Sequence, residues 1–159
     1  MTQTILNRIG ITLPIFQAPM AGVSTPALAA AVSEAGGLGA LGLGASSAAA
    51  VHQAISEART LTERPFNANF FCHRPAPRTE AVEQAWIRSA SPLFSDFGAT
   101  PPSELEEIYI SFRETDEFLR VVLDLRPAVV SFHFGLPRAH QIAAMRDAGL
   151  TLIASATSL

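Results

Sequence analysis

The sequence predicts an α/β fold built on a parallel β-sheet. Short apolar runs alternate with longer segments of helical character, and the runs recur about every 25 to 50 residues, as βαβ units do. The runs read mainly as apolar runs rather than as alternations of apolar and polar residues, which is typical of strands covered on both faces. The 159 residues are 48% hydrophobic, enough to bury the core of one domain. We therefore expect one domain over residues 1–159.

Each element has a local reason. Ser24, Thr25 and Pro26 form a typical helix start, and Gly36 with Gly37 forms a helix stop. Prolines punctuate a longer insertion at residues 72–100, after the third strand. Strands are predicted at residues 15–18, 38–43, 66–71, 128–132 and 151–155, and helices at 27–34, 47–60, 104–112, 116–125 and 137–147.

The charge pattern excludes several classes of partner. The net charge is −3, and no basic cluster predicts binding to nucleic acid or to an anionic membrane. All eleven basic residues are arginine, so Schiff-base lysine chemistry and the P-loop motif are absent. No apolar run is long enough to predict a transmembrane helix. One cysteine, Cys72, gives no disulfide framework and favours a cytoplasmic protein.

The low fraction of charged residues also indicates that other polypeptide covers part of the surface of this chain. Charged residues make up 16% of the chain, against about 25% in typical soluble domains. The chain stops just after a predicted strand, where Ser158 resembles a helix cap. We expect the chain to be an incomplete portion of its fold.

The glycines at 37, 39 and 42 match the spacing G-x-G-x-x-G of a dinucleotide-binding loop. That motif should follow a first strand and open a helix, whereas here it follows a helix and lies within a predicted strand. The position favours a helix stop and a closely packed small-residue strand.

Residues 19–22, the sequence Pro19-Met20-Ala21-Gly22, form the first candidate site. They follow the first predicted strand, at the end of a parallel sheet where ligands bind. Small residues there let backbone approach a flat ligand closely, although an ordinary turn would have the same composition.

Asn69 is the second candidate. It shares one face of the third predicted strand with Asn67, and buried amides in a strand need partners. The amide can hydrogen-bond the edge of a heterocycle or serve a local turn.

His133 ends the fourth predicted strand, where it can donate to an anion, shuttle a proton or serve a structural role. Tyr109 and Trp86 fit packing roles, and Cys72 fits a small buried residue. The histidines lack the spacing of a zinc-protease helix, so no metal site is predicted.

Three segments together resemble the nitronate monooxygenases, formerly called 2-nitropropane dioxygenases. The segments read PIFQAPMAGVSTPALAAAVSEAGGLGALGLG, RPFNANFFCH and PAVVSFHFGLP. The resemblance implies an FMN-dependent TIM (β/α)8 barrel, of which this chain carries the N-terminal part. That part comprises about five βα units, with a helical insertion after strand three.

The resemblance also implies chemistry. Residues 19–22 would lie along the flavin, Asn69 would hydrogen-bond the isoalloxazine, and His133 and Tyr109 would line the substrate pocket. The reaction would be oxidation of an alkyl nitronate with O2. The family's catalytic histidine and the FMN phosphate site are expected beyond Leu159.

Two alternatives stay open from the sequence. A related FMN barrel could be an NAD(P)H-dependent reductase, and the chain by itself could be an inactive fragment. Exposed barrel edges would also favour self-association.

Overall fold

The computed structural model of the chain describes residues 4–157, which divide into two compact units. One unit comprises the described residues up to Arg74 together with those from Tyr109 onward. The other comprises Pro75–Ile108 and corresponds to the predicted insertion. The prediction of one domain over residues 1–159 stays a prediction. Ser158, which resembles a helix cap in the sequence, lies outside the described residues.

Six helices and four strands are assigned among the described residues. In chain order they are α1 (Ile5–Ile9), α2 (Pro26–Glu34), β1 (Gly39–Gly42), α3 (Ala48–Leu61), β2 (Phe66–Phe71), α4 (Glu80–Asp96), α5 (Glu117–Leu125), β3 (Val129–His133), α6 (Ala139–Asp147) and β4 (Thr151–Ala154). No helix in this part of the chain is long and apolar enough to span a bilayer.

The four strands form one parallel sheet in the order β1-β2-β3-β4. Consecutive strands are therefore neighbours, joined by crossovers that contain helices, as in the N-terminal part of a TIM barrel. The predicted α/β fold is confirmed.

The two faces of the sheet differ in character. One face carries the main core, in which Leu41, Phe70 and Phe132 pack with residues of α3 and α5 such as Ile55 and Val122. We call the opposite face the inner face, because it corresponds to the interior of a barrel.

The inner face is apolar only at the N-terminal ends of its strands. There Leu38 and Val129 pack against Ile9 and Ile11, which belong to α1 and the residues after it. Farther along the strands the inner face carries Asn69 and other polar side chains. The polar part therefore lies toward the carboxyl ends of the strands.

Helix starts follow the predicted chemistry. The Thr25 side chain accepts a hydrogen bond from the backbone N–H of Leu28, and Pro26 opens α2. Ser47 caps α3 in the same way, by accepting from the N–H of Ala50. Side-chain caps satisfy N–H groups that have no partner within the helix.

The glycine-rich segment is a closely packed strand, as its position predicted. A Cβ on Gly39 would lie 1.9 Å from the carbonyl oxygen of Ala29 in α2. Backbone cannot yield to such a contact, so α2 reaches the sheet only because this position has no side chain.

Two predicted elements are wrong. Residues 15–18 are not a regular strand: Phe16 makes one parallel bridge to Leu38, and the chain then turns away. Residues 104–112 are not a helix either. In that stretch Phe112 donates its backbone N–H to the carbonyl of Phe71 at 2.9 Å, which holds the chain at this point against the end of β2.

The second unit is built on α4 and is held by polar contacts. Arg78 pairs with Glu83 through two hydrogen bonds of 2.6 and 2.7 Å, and Gln84 donates to the carbonyl of Ser103 at 2.7 Å. The packing role predicted for Trp86 is wrong, because its side chain is 68% exposed.

Cys72 is fully buried in the main core, as predicted. Burial raises the pKa of its thiol from 9.0 to about 12, against a smaller lowering effect of Arg113. We expect the native protein to react with iodoacetamide at pH 8 at least about a hundredfold more slowly than the unfolded chain, because only the thiolate attacks.

As Cys72 is the only cysteine, mass spectrometry of the alkylated protein reads this site alone. The same reaction in denaturant is the control. Equal rates in the native and denatured protein would contradict the burial of this thiol.

Candidate functional site

The Gln17 side chain extends the interrupted first strand. Backbone hydrogen bonds join Leu38 to Ile15 and Gln17, at 2.8 and 2.9 Å. At the next step Gln17 Oε1 accepts from the N–H of Ala40 at 3.2 Å, and Nε2 donates to the Ala40 carbonyl at 3.0 Å. The side-chain amide thus takes the place of a backbone amide, and the main chain is free to turn away from β1.

The turn at residues 19–22 is anchored by Ser24. Its Oγ accepts from the backbone N–H of Met20 at 2.8 Å and donates to the carbonyl of Ala18 at 3.2 Å. Gly22 has a φ of +73°, a conformation that favours glycine. Met20, Ala21 and Gly22 remain exposed on this anchored turn.

Gly42 places the turn against β1. A Cβ on Gly42 would lie 2.7 Å from the carbonyl carbon of Met20 and 2.9 Å from the backbone nitrogen of Ala21. Gly42 is also the register partner of Asn69 on β2. The first two candidate sites, residues 19–22 and Asn69, therefore meet at Gly42.

Asn69 is buried and bonded to the neighbouring strand. Its Nδ2 donates to Ser131 Oγ at 2.8 Å and to the Ser131 carbonyl at 3.3 Å. Asn67 also donates to Ser131 Oγ, at 2.8 Å. The partners that two buried amides require are thus supplied largely by one serine.

His133 lies one step farther along the same face. It is the register partner of Phe71, two residues beyond the pair of Asn69 and Ser131. Its Nδ1 lies 2.9 Å from Ser155 Oγ, just after β4. This contact fixes the ring against the neighbouring strand, and a neutral ring with Nδ1 as acceptor carries its proton on Nε2.

Tyr109 joins this cluster although it is not on a helix. Its ring lies 5.6 Å from that of Phe71, between centroids, and Phe134 packs on Phe71 at 4.9 Å. Tyr109 is 39% exposed and Phe134 68% exposed. They form an accessible aromatic wall beside His133.

Gln141 holds the segment that follows Tyr109. It is fully buried, and its Nε2 donates to the Phe112 carbonyl at 3.0 Å and to Asp116 Oδ1 at 2.9 Å. Hydrogen bonds from Gln141 and then from His140 lower the pKa of Asp116. The position of Tyr109 thus depends on α6, far away in sequence.

The structure therefore brings all the predicted site residues to the carboxyl ends of the strands. Sequence reasoning missed the residues that hold them: Gln17, Ser24, Ser131, Ser155 and Gln141. One signal was present for Ser131, because it lies two residues before His133 and must share its face. The partners of the others depend on distant segments.

The residues fit the ring portion of a flat heterocyclic cofactor such as a flavin. Gly42 leaves space for the turn, whose exposed Met20 and Ala21 offer apolar contact and backbone. Asn69 offers an amide beside them. Aromatic side chains and His133 stand at the adjacent strand end. This combination of apolar surface and a few directed polar groups is typical of cofactor sites.

The fold is that of a TIM-barrel-type protein, and in such proteins ligand sites lie at the carboxyl ends of the strands. A family model described as nitronate monooxygenase matches residues 3–159. The chain belongs to the nitronate monooxygenase family.

Curated relatives agree with the family model. The chain is 55% identical over 157 residues to a nitronate monooxygenase of Paraburkholderia phytofirmans and 49% identical over 158 residues to one of Pseudomonas aeruginosa. Each alignment covers 99% of this chain, but only 43% and 45% of the respective relative. The chain thus spans less than half the length of these relatives.

Solved structures show the same fold. A nitroalkane oxidase from Streptomyces ansochromogenes matches with a TM-score of 0.80 at 38% identity, over 93% of this chain and 41% of that one. FabK from Thermotoga maritima matches with a TM-score of 0.67 at 27% identity, over 99% of this chain and 38% of that one.

We expect Gly42→Ala to displace the turn at residues 19–22, because its new methyl group would meet backbone that cannot give way. Stability should fall by about 1–3 kcal/mol. Amide hydrogen exchange at Met20 and Ser24, both bonded within the turn, should accelerate more than exchange in β3.

The control is Gly149→Ala, whose Cβ meets nothing within 4 Å but whose φ is +80°. It should lose stability through backbone strain while the turn keeps its protection. Unchanged exchange at Met20 and Ser24 in Gly42→Ala would contradict the proposed contact.

Proposed function

We propose that this chain supplies the flavin-ring and substrate-binding side of an enzyme that oxidises alkyl nitronates with FMN and O2. The observation that carries the proposal is that the residue 19–22 turn, Asn69 and His133 lie together at the carboxyl ends of the strands. Membership of the nitronate monooxygenase family suggests which chemistry this group of residues serves.

Residues 19–22 and Asn69 would hold the flavin ring. The exposed turn presents Met20 and Ala21 with backbone amides, and Gly22 adds no bulk. The Asn69 amide would meet the polar edge of the ring. Bound there, FMN would supply the redox chemistry by accepting an electron from the nitronate, and O2 would complete the turnover.

His133 would hold the nitronate. A nitronate is an anion, and a donor aimed at an anion is most effective where little water competes. With Ser155 Oγ donating to Nδ1, Nε2 would carry the ring proton and would donate to the substrate.

Tyr109 would line the same substrate pocket. Together with Phe71 and Phe134 it gives a largely apolar wall, which would accept the alkyl part of the substrate and exclude water near His133. Polar recognition would then be confined to the nitro group.

Partners and location belong to the same proposal. The partners would be a small nitronate and O2, with no nucleic acid or membrane. A single buried thiol favours the cytoplasm. Within the described residues the sheet has edges at Phe16 and at β4, and self-association through them stays a prediction.

The direct test uses protein expressed from the complete reading frame that encodes this chain. Purified protein should show the visible absorbance of an oxidised flavin, release FMN on denaturation and consume O2 when an alkyl nitronate is added. Protein without flavin would overturn the proposal. Rapid anaerobic flavin reduction by NADH, with no turnover of nitronate, would instead favour the reductase alternative. That alternative is open because the sequence also resembles related FMN barrels that use NAD(P)H.

We expect His133→Ala to lower nitronate turnover about 10- to 100-fold, because the anion loses a donor. The melting temperature should change little, since the His133 ring is partly exposed. Steady-state kinetics and thermal unfolding of the same samples check both parts.

His52→Ala is the matched control, because this histidine lies exposed on α3. Its turnover should equal that of the wild type. A His133→Ala protein that loses thermal stability but keeps full turnover would assign His133 a structural role only.

A further inference from the structure

Three polar side chains on the inner face share one hydroxyl group. Asn67 and Asn69 each place Nδ2 at 2.8 Å from Ser131 Oγ. The three residues are only 7%, 1% and 6% exposed, respectively. Buried polar groups inside a sheet need a reason beyond packing, since apolar residues would fill the same space without requiring partners.

The orientation of the Asn69 amide is fixed by the main chain. Nδ2 lies 3.3 Å from the carbonyl oxygen of Ser131, which can only accept a hydrogen bond. The NH2 group must therefore face Ser131, and its two protons go to the carbonyl and the hydroxyl of that residue. This leaves Oδ1 as the polar atom of the Asn69 side chain that is not bonded to Ser131.

Asn67 strengthens this interpretation. Its Oδ1 is the one buried side-chain nitrogen or oxygen atom without a hydrogen-bond partner among the described residues. An unpaired buried carbonyl oxygen is costly, so a sequence selected only for packing would not keep it. Asn67 instead supports Ser131, because its Nδ2 donates to Ser131 Oγ at 2.8 Å.

We propose that Ser131, supported by Asn67, is a positioning residue that makes Asn69 a hydrogen-bond acceptor toward the cofactor. This inference rests on the proposed function, because it takes the cofactor to be a flavin. The oxidised isoalloxazine ring system carries several acceptor atoms but a single N–H donor, at its imide nitrogen. An Asn69 held with Oδ1 outward selects that imide group.

The test uses FMN labelled with nitrogen-15 at the imide nitrogen, bound to protein from the complete reading frame. Ser131→Ala removes the hydroxyl and Ser131→Thr retains it. Ser33→Ala is the matched control, because Ser33 is also buried but bonds to Pro65 and Gly39, away from the site.

In the wild type and in Ser131→Thr, the imide N–H signal should be shifted and protected from exchange by its hydrogen bond. In Ser131→Ala it should move toward that of free FMN, and the Kd for FMN should rise about tenfold. Ser33→Ala should keep the wild-type imide signal even if it unfolds more easily.

The wild type gives a second measurement that needs no variant. FMN binding should leave the Asn69 side-chain NH2 protons slow to exchange, because both stay hydrogen-bonded to Ser131. Fast exchange of these protons in the FMN complex, or a wild-type imide signal in Ser131→Ala, would overturn the positioning role alone. Wild-type protein that binds no FMN would overturn the proposed function as well.

Discussion

The parallel register between β2 and β3 is the constraint on which the site depends. It pairs Asn69 with Ser131 and Phe71 with His133. Because side chains alternate between faces, these four residues share the inner face, whereas Phe70 and Phe132 face the helices. A slip of one residue would place the polar groups in the apolar core and the phenylalanines on the inner face.

The same register explains why the polar and apolar parts of the inner face are separated. At the N-terminal ends of the strands, Leu38 and Val129 are covered by Ile9 and Ile11. This closes one end of the face with apolar contact. The proposed ligand site lies at the other end, where the strands finish, as ligand sites do in TIM barrels generally.

Two glycines and one amide side chain together shape the chain around β1. Gly39 and Gly42 let α2 and the residue 19–22 turn come against β1 at distances that any Cβ would prevent. Gln17 continues the hydrogen bonding of the sheet after its own backbone has left it. Together they let the chain leave β1 in a hydrogen-bonded turn that lies against Gly42, the register partner of Asn69.

Much of this could be predicted from the sequence because it depends on neighbours along the chain. Apolar runs, Ser and Thr caps and glycine stops determined four of the six described helices to within two residues, the four described strands to within one residue, and the parallel fold class. The position of residues 19–22, Asn69 and His133 after or near strand ends also follows from local order, and the quoted segments indicated the family.

Only the tertiary structure decided how those residues are held. The stretch at 104–112 has a helical pattern but forms no helix, and at its end Phe112 instead bonds to Phe71 and to Gln141. Likewise, Ser131 meets Asn69 across 62 positions, and Ser155 meets His133 across 22. Such contacts are set by strand register and crossover geometry, which link distant segments through backbone hydrogen bonds that carry no local sequence signal.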